Sequence, residues 1–108
     1  MADELVVRVY HLTKSFPSDE RFGLRVQLQR AAVSVAANIV EGSARASTRE
    51  YGHSLNIAVG SAAEAQYLLQ LSFRPQLIDK AQFHEVDTAY NDLLCALQKL
   101  LQAVSRMP

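Results

Sequence analysis

Two short stretches rich in the smallest side chains constrain this chain most. Residues 30–42 hold Ala31, Ala32, Ser34, Ala36, Ala37 and Gly42, and residues 51–61 hold Gly52, Ser54, Ala58, Gly60 and Ser61. Neither stretch alternates apolar and polar residues as a half-buried strand would, and both carry polar residues three or four apart, the interval of a helix face. Small side chains shorten the distance at which two helices can pack. The pair therefore predicts two helices built for close approach.

The rest of the chain adds two more helices and no strand. Leu5, Val9, Leu12 and Phe16 recur at helical spacing, and Phe16-Pro17 closes that segment because a residue before proline leaves the α region. A second helix begins between Ser18 and Leu24 and runs through Val26, Leu28, Ala32, Val35 and Ile39 to a stop at Gly42. Ser47-Thr48-Arg49-Glu50 fits a reciprocal capping box for a third helix, which continues to about Phe73 before Arg74-Pro75. Asp79 and Gln82 form a cap pair for the fourth, with Ile78 and Phe83 as a hydrophobic staple. Its stripe of Phe83, Val86, Tyr90, Leu93, Leu97, Leu100 and Val104 alternates by three and four, and Leu94 and Leu101 widen it. Short connections favour antiparallel neighbours, so the expected fold is an all-α, up-down four-helix bundle in one domain over residues 1–108.

Composition narrows the function classes. Eleven basic and eleven acidic side chains cancel, so no overall field calls for nucleic acid or a membrane. The single Cys95 excludes an internal disulfide and a cysteine metal site, and its place in Leu93-Leu94-Cys95-Ala96-Leu97 predicts a small buried thiol. Met1-Ala2-Asp3-Glu4 is acidic where a signal peptide would be basic, and no apolar run is long enough to span a bilayer. A cytoplasmic protein without membrane contact is the expectation.

At this point the chain resembles a family. Phe16-Pro17, Glu20-Arg21-Phe22-Gly23-Leu24, Gln27-Leu28, Arg30-Ala31-Ala32, Ser34-Val35, Ala37-Asn38-Ile39 and Glu41-Gly42 are similar to the signature of the bacterial four-helix bundle proteins first named for open reading frames in intervening sequences of large-subunit ribosomal RNA genes. Glu50-Tyr51, the run 55–61 and Glu64 extend the match into helix three. The resemblance implies an antiparallel bundle that assembles as a ring-shaped homopentamer, with no established activity for most members. It also implies kinship with basic, pentameric accessory proteins of diversity-generating retroelements, which bind nucleic acid and a reverse transcriptase. The sequence departs from the family pattern at Ala36, where proline is usual, and in its neutral charge.

Two polar stripes hold the candidate site residues. Gln27, Arg30, Ser34, Asn38 and Glu41 share one face of helix two, and His53, Asn56, Gly60, Glu64 and Tyr67 share one face of helix three. They read either as a polar cavity or partner-binding face, or as a hydrogen-bonded seam that fixes helix register within or between subunits. Arg30 and Glu64 are a candidate ion pair in the seam. Catalytic material is thin. His11, His53 and His84 lie on separate helices, Glu50-x-x-His53 has no second copy, and no glycine-rich phosphate loop occurs. The chain is expected not to be an enzyme and to need no cofactor or metal.

Charge is uneven along the chain. Arg21, Arg25, Arg30, Arg45 and Arg49 face one acid, Glu41, across residues 21–49, whereas residues 50–108 hold six acids against four bases. Arginine suits bidentate contact with carboxylate or phosphate. These arginines are expected to pair with acids of helix four or of a neighbouring subunit. Three functions follow: a non-enzymatic, self-assembling adaptor or scaffold that meets an unidentified protein partner; an RNA- or DNA-binding accessory protein using Arg21, Arg25, Arg45 and Arg49; and, least favoured, a small-molecule or metal-binding bundle using Arg30, Asn38, Glu41, His53 and Glu64.

Overall fold

Two of the helices begin where the chain offers a side-chain cap. The structure, a computed structural model, describes residues 1–17, 23–74 and 77–107. It contains α1 (Ala2–Thr13), α2 (Leu24–Ser43), α3 (Thr48–Phe73) and α4 (Lys80–Ser105). No strand occurs among the described residues. Asp79 and Gln82 complete the expected capping box: Gln82 N–H donates to the Asp79 carboxylate at 2.8 Å, and Asp79 N–H donates to Gln82 Oε1 at 3.3 Å. At α3 only half of the expected box forms. Glu50 N–H donates to Ser47 Oγ at 3.1 Å, while the exposed Glu50 side chain does not return the bond. Such a cap is worth about 1 kcal/mol.

α1 stops at Thr13, ahead of the expected Phe16-Pro17, because Lys14 and Phe16 N–H donate to His11 and Thr13 carbonyls in a tighter turn. Phe16 is buried all the same. α2 starts at Leu24 with Gly23 at its N-cap. The sequence features expected at 18–22, including Arg21, and at Pro75 lie outside the described residues.

The helices pack in an up-down order. Ser34 meets Ser61, and Gly42 lies against Ser54 and Tyr51, so as numbering rises along α2 it falls along α3. A Cβ added to Gly42 would stand 3.0 Å from both the Ser54 Cβ and the Tyr51 ring, which shows how closely the two helices cross. Gln66, bonded to Asp87 and Asn91, and the Phe73 ring, stacked on Phe83 at 4.5 Å between centroids, set α4 antiparallel to α3. α1 closes the bundle between α2 and α4. Gln29 Nε2 donates to Thr13 Oγ1 at 2.9 Å, and Arg8 pairs with Glu85 at 2.8 Å.

The core joins Leu5, Val9 and Leu12 of α1 to Leu28 and Val35, to Leu55 and Leu69, and to Val86, Tyr90, Leu93 and Leu97. Between α2 and α3 it narrows to alanines: Ala31 and Ala32 on one side, Ala58, Ala62 and Ala65 on the other, all buried. The small-residue stretches thus do what their composition predicts.

Two expectations on α4 are corrected. Leu100 is 37% exposed rather than core. It lies on the flank of α4 that α1 covers, but the Arg8–Glu85 pair puts the first turn of α1 well short of it. Cys95 is exposed rather than buried. It falls two residues from both Leu93 and Leu97, which turns it to the opposite side of the helix from their buried stripe. Tyr90 is 1% exposed, its hydroxyl has no hydrogen-bond partner among the described residues, and burial raises its pKa from 10.0 to about 12.

Candidate functional site

The α2 stripe meets α3 at Ser34, through Ser61, which lies outside the α3 stripe. Ser34 Oγ and Ser61 Oγ are 2.8 Å apart, and Asn38 Nδ2 donates to the Ser34 carbonyl at 2.8 Å and to Ser34 Oγ at 3.3 Å. This is a hydrogen-bonded seam within one subunit, with Ser61 supplying the contact on α3. Ser34 and Asn38 are half-buried there. Gln27, Arg30, Glu41, His53, Asn56 and Glu64 are exposed.

Arg30 and Glu64 do not pair within the chain. The Ser34–Ser61 contact places them level on neighbouring helices, yet the two do not pair, and Arg30 lines a depression with Tyr10, Val26, Gln29, Val33 and Ser34. Among the described residues the ion pairs are Arg8–Glu85 and Arg45–Glu41. Arg25, Arg30, Arg45 and Arg49 make no ion pair with the acids of α4, one of the two partners expected: α2 touches α3 and α1 and not α4, and Arg49, on α3, lies beside Leu101 and Val104 at the far end of α4 from its acids.

The outward face of α2 carries an apolar stripe that the polar pattern conceals. Val26, Val33, Ala37 and Val40 follow one another on it, with Val33 42% and Val40 65% exposed. Beside them, Val6 and Asp3 of α1 complete an open groove of about 500 Å³ whose wall is almost wholly apolar. On α3, Ile57 and Tyr67 are 41% and 61% exposed. The spacing of the α2 valines was visible in the sequence. What the sequence lacked was a contrast, since Val26, Val33, Val35 and Ile39 are equally apolar and their pattern does not say which turn inward.

A second grouping sits at the α2–α3 turn. Arg45, Arg49, His53 and Ser54 line a depression of about 580 Å³ together with Ser47 and Glu50. Arg45 bonds Glu41 in the preceding turn. Arg25 is half-buried and apart from this group, and Arg21 lies outside the described residues. Of the tyrosines, Tyr90 is core and Tyr51 half-buried, while Tyr10 and Tyr67 are exposed. Among the described residues no three His, Cys, Asp or Glu side chains gather as a metal site requires, and no helix is long and apolar enough to cross a membrane.

Comparison with known proteins places this architecture. The profile of the 23S rRNA-intervening sequence protein family matches residues 1–99. A crystal structure of a protein of unknown function from the S23 ribosomal protein family of Bacteroides thetaiotaomicron VPI-5482 superposes with a TM-score of 0.86 at 27% identity, covering 93% of this chain and 94% of that one. No curated protein matches the sequence.

Proposed function

The chain belongs to the 23S rRNA-intervening sequence protein family, and from that premise and the uncovered face of α2 we propose that it is a non-enzymatic, self-assembling bundle that serves as an adaptor or scaffold. The observation that carries the proposal is the row Val26, Val33, Ala37 and Val40, of which Val33, Ala37 and Val40 stand exposed along an open groove beside α1. Valines held in water along one helix face are stabilised when a second surface covers them, by about 25 cal/mol for each Å² of apolar area removed. The pentameric ring implied by the family resemblance repeats a surface five times, and a repeated surface lets modest contacts bind a macromolecular partner through multivalency. Light scattering on the purified protein tests the assembly: a mass near five times the 12.0 kDa subunit is expected. A mass near one subunit refutes it.

A second reading rests on Arg45, Arg49 and His53 around one depression. A ring would repeat that group as a rim able to contact the phosphates of RNA or DNA, as an accessory protein would. Glu50 in the same depression and the Arg45–Glu41 pair lower its net charge, which favours the scaffold. Fluorescence anisotropy with structured RNA and duplex DNA at about 50 and 200 mM salt separates the two. The scaffold predicts no binding at either salt. Binding that falls steeply with salt and disappears in the Arg45→Glu, Arg49→Glu variant would establish the second reading instead.

A further inference from the structure

The outward faces of α2 and α3 fit each other. On α2, positions 26, 30, 33, 37 and 40 recur by four, three, four and three; on α3, positions 53, 57, 60, 64 and 67 do the same. This is the spacing with which helices interlock side by side, a knob of one seated among residues of the other. Laid antiparallel, three of the five facing pairs match in size or in charge. Val33 falls opposite Gly60, beside which there is open space with nothing within 4 Å of an added Cβ. Ala37 falls opposite Ile57, so a small residue again meets a large one. Arg30 falls opposite Glu64, and neither has an ionic partner among the described residues. Both charged residues stand on their rows where the partner row supplies the opposite sign.

We infer that the α2 outer face of one copy of this chain packs on the α3 outer face of the next, antiparallel, with Arg30 paired to Glu64 across the joint. The inference rests on the proposed self-assembly and names the surfaces that produce it. Within one subunit α2 and α3 are already antiparallel, so this joint makes neighbouring subunits parallel. Two parallel subunits joined through different faces form a heterologous contact, which closes into a ring when the turn per copy permits. Neighbouring corners of a four-helix bundle face outward about a right angle apart, so the chain of copies returns on itself after a few subunits. The alternative, α2 against α2 around a two-fold axis, leaves Ile57 and Tyr67 uncovered and sets Arg30 near Ala37 instead of Glu64.

Two variants test it, each changing an exposed position: Val33→Glu on α2 and Ile57→Glu on α3. Each alone is expected to be a folded monomer, with helical circular dichroism unchanged and a light-scattering mass of one subunit. Mixed together, they are expected to form a dimer and nothing larger, because the Val33→Glu copy keeps an intact α3 face and the Ile57→Glu copy an intact α2 face. As a check that does not depend on how well a buried glutamate is tolerated, Arg30→Glu and Glu64→Arg should each weaken assembly at least tenfold, and the double exchange in one chain should restore it. A monomeric wild type overturns self-assembly and this joint together. An assembled wild type with variants that still assemble, with only Val33→Glu dissociating, or with a mixture that stays monomeric, overturns the joint and leaves self-assembly standing.

Discussion

α2 and α4 divide their side chains in opposite ways. α4 buries its large residues, Val86, Tyr90, Leu93 and Leu97, and turns Glu85, Asp92, Gln98 and Lys99 to water. α2 buries Ala31 and Ala32 along with Leu28 and Val35, and shows Val33 and Val40. The difference teaches that α4 keeps most of its large apolar residues inside the subunit while α2 leaves two valines in water. A helix with large residues inside and charges outside needs one packed face. One with alanines inside and valines outside carries more apolar surface than the subunit covers.

The widest test of that contrast compares two positions on the same helix. Leu28→Ala, at a fully buried site, should lower stability by about 2–5 kcal/mol. Val40→Ala should change the stability of the isolated subunit by no more than about 0.5 kcal/mol, since it is mostly exposed. Urea denaturation of both variants, each in the Ile57→Glu background to keep the subunits apart, measures the difference, and similar losses would break the contrast.

A smaller effect sharpens it at the glycines. Gly42→Ala forces a methyl to within 3.0 Å of Ser54 and Tyr51, and should cost about 1–3 kcal/mol. Gly60→Ala meets nothing in the subunit, and in the same monomeric background should add about 0.5–1 kcal/mol through helix propensity. In the wild-type background the same methyl faces Val33 of a neighbour and should weaken assembly. Thermal unfolding of the monomer together with the light-scattering mass of the assembled form reads both effects.

The smallest effect lies inside α4. Tyr90→Phe removes a buried hydroxyl that has no partner among the described residues, and should leave stability at neutral pH unchanged or raise it by about 1 kcal/mol. The sign reverses the usual cost of a core substitution. Tyr90 also makes stability fall with alkali. Below pH 10 both folded and unfolded chains hold the phenol proton; between 10.0 and about 12 the unfolded chain releases it and the folded chain keeps it. Stability is therefore lost as pH rises through that window, by about 1.4 kcal/mol per unit at most. Denaturation midpoints of wild type and Tyr90→Phe at pH 8 and 11 should diverge in favour of the variant, and parallel curves would refute the assignment.

Much of the fold was legible because its signals are local. Asp79 and Gln82 sit three residues apart in any context, and alanine and glycine pack closely wherever two helices meet. The all-helical bundle follows from such features. Leu100 was misjudged because its exposure depends on how far a different helix reaches, and Cys95 because the apolar run around it hides which turn faces inward. The site was legible only in part for the same reason. Spacing grouped Ser34 and Asn38 on the seam and put Arg30 and Glu64 at one level, but a shared level on neighbouring helices does not by itself bring two side chains together. Half of the α3 capping box failed because an exposed Glu50 side chain is as well satisfied by water as by a backbone N–H.

Thr13 closes α1 with a hydroxyl that is fully occupied. It donates to the Val9 carbonyl at 2.8 Å, accepts from Gln29 at 2.9 Å, and is buried completely. A proton held in that way exchanges with water when this end of α1 opens, and α1, at 12 residues, is the shortest of the described helices. The hydroxyl resonance of this one threonine is therefore a built-in clock: the rate at which it fades in deuterated water counts the openings of that end of the first helix in an unaltered chain.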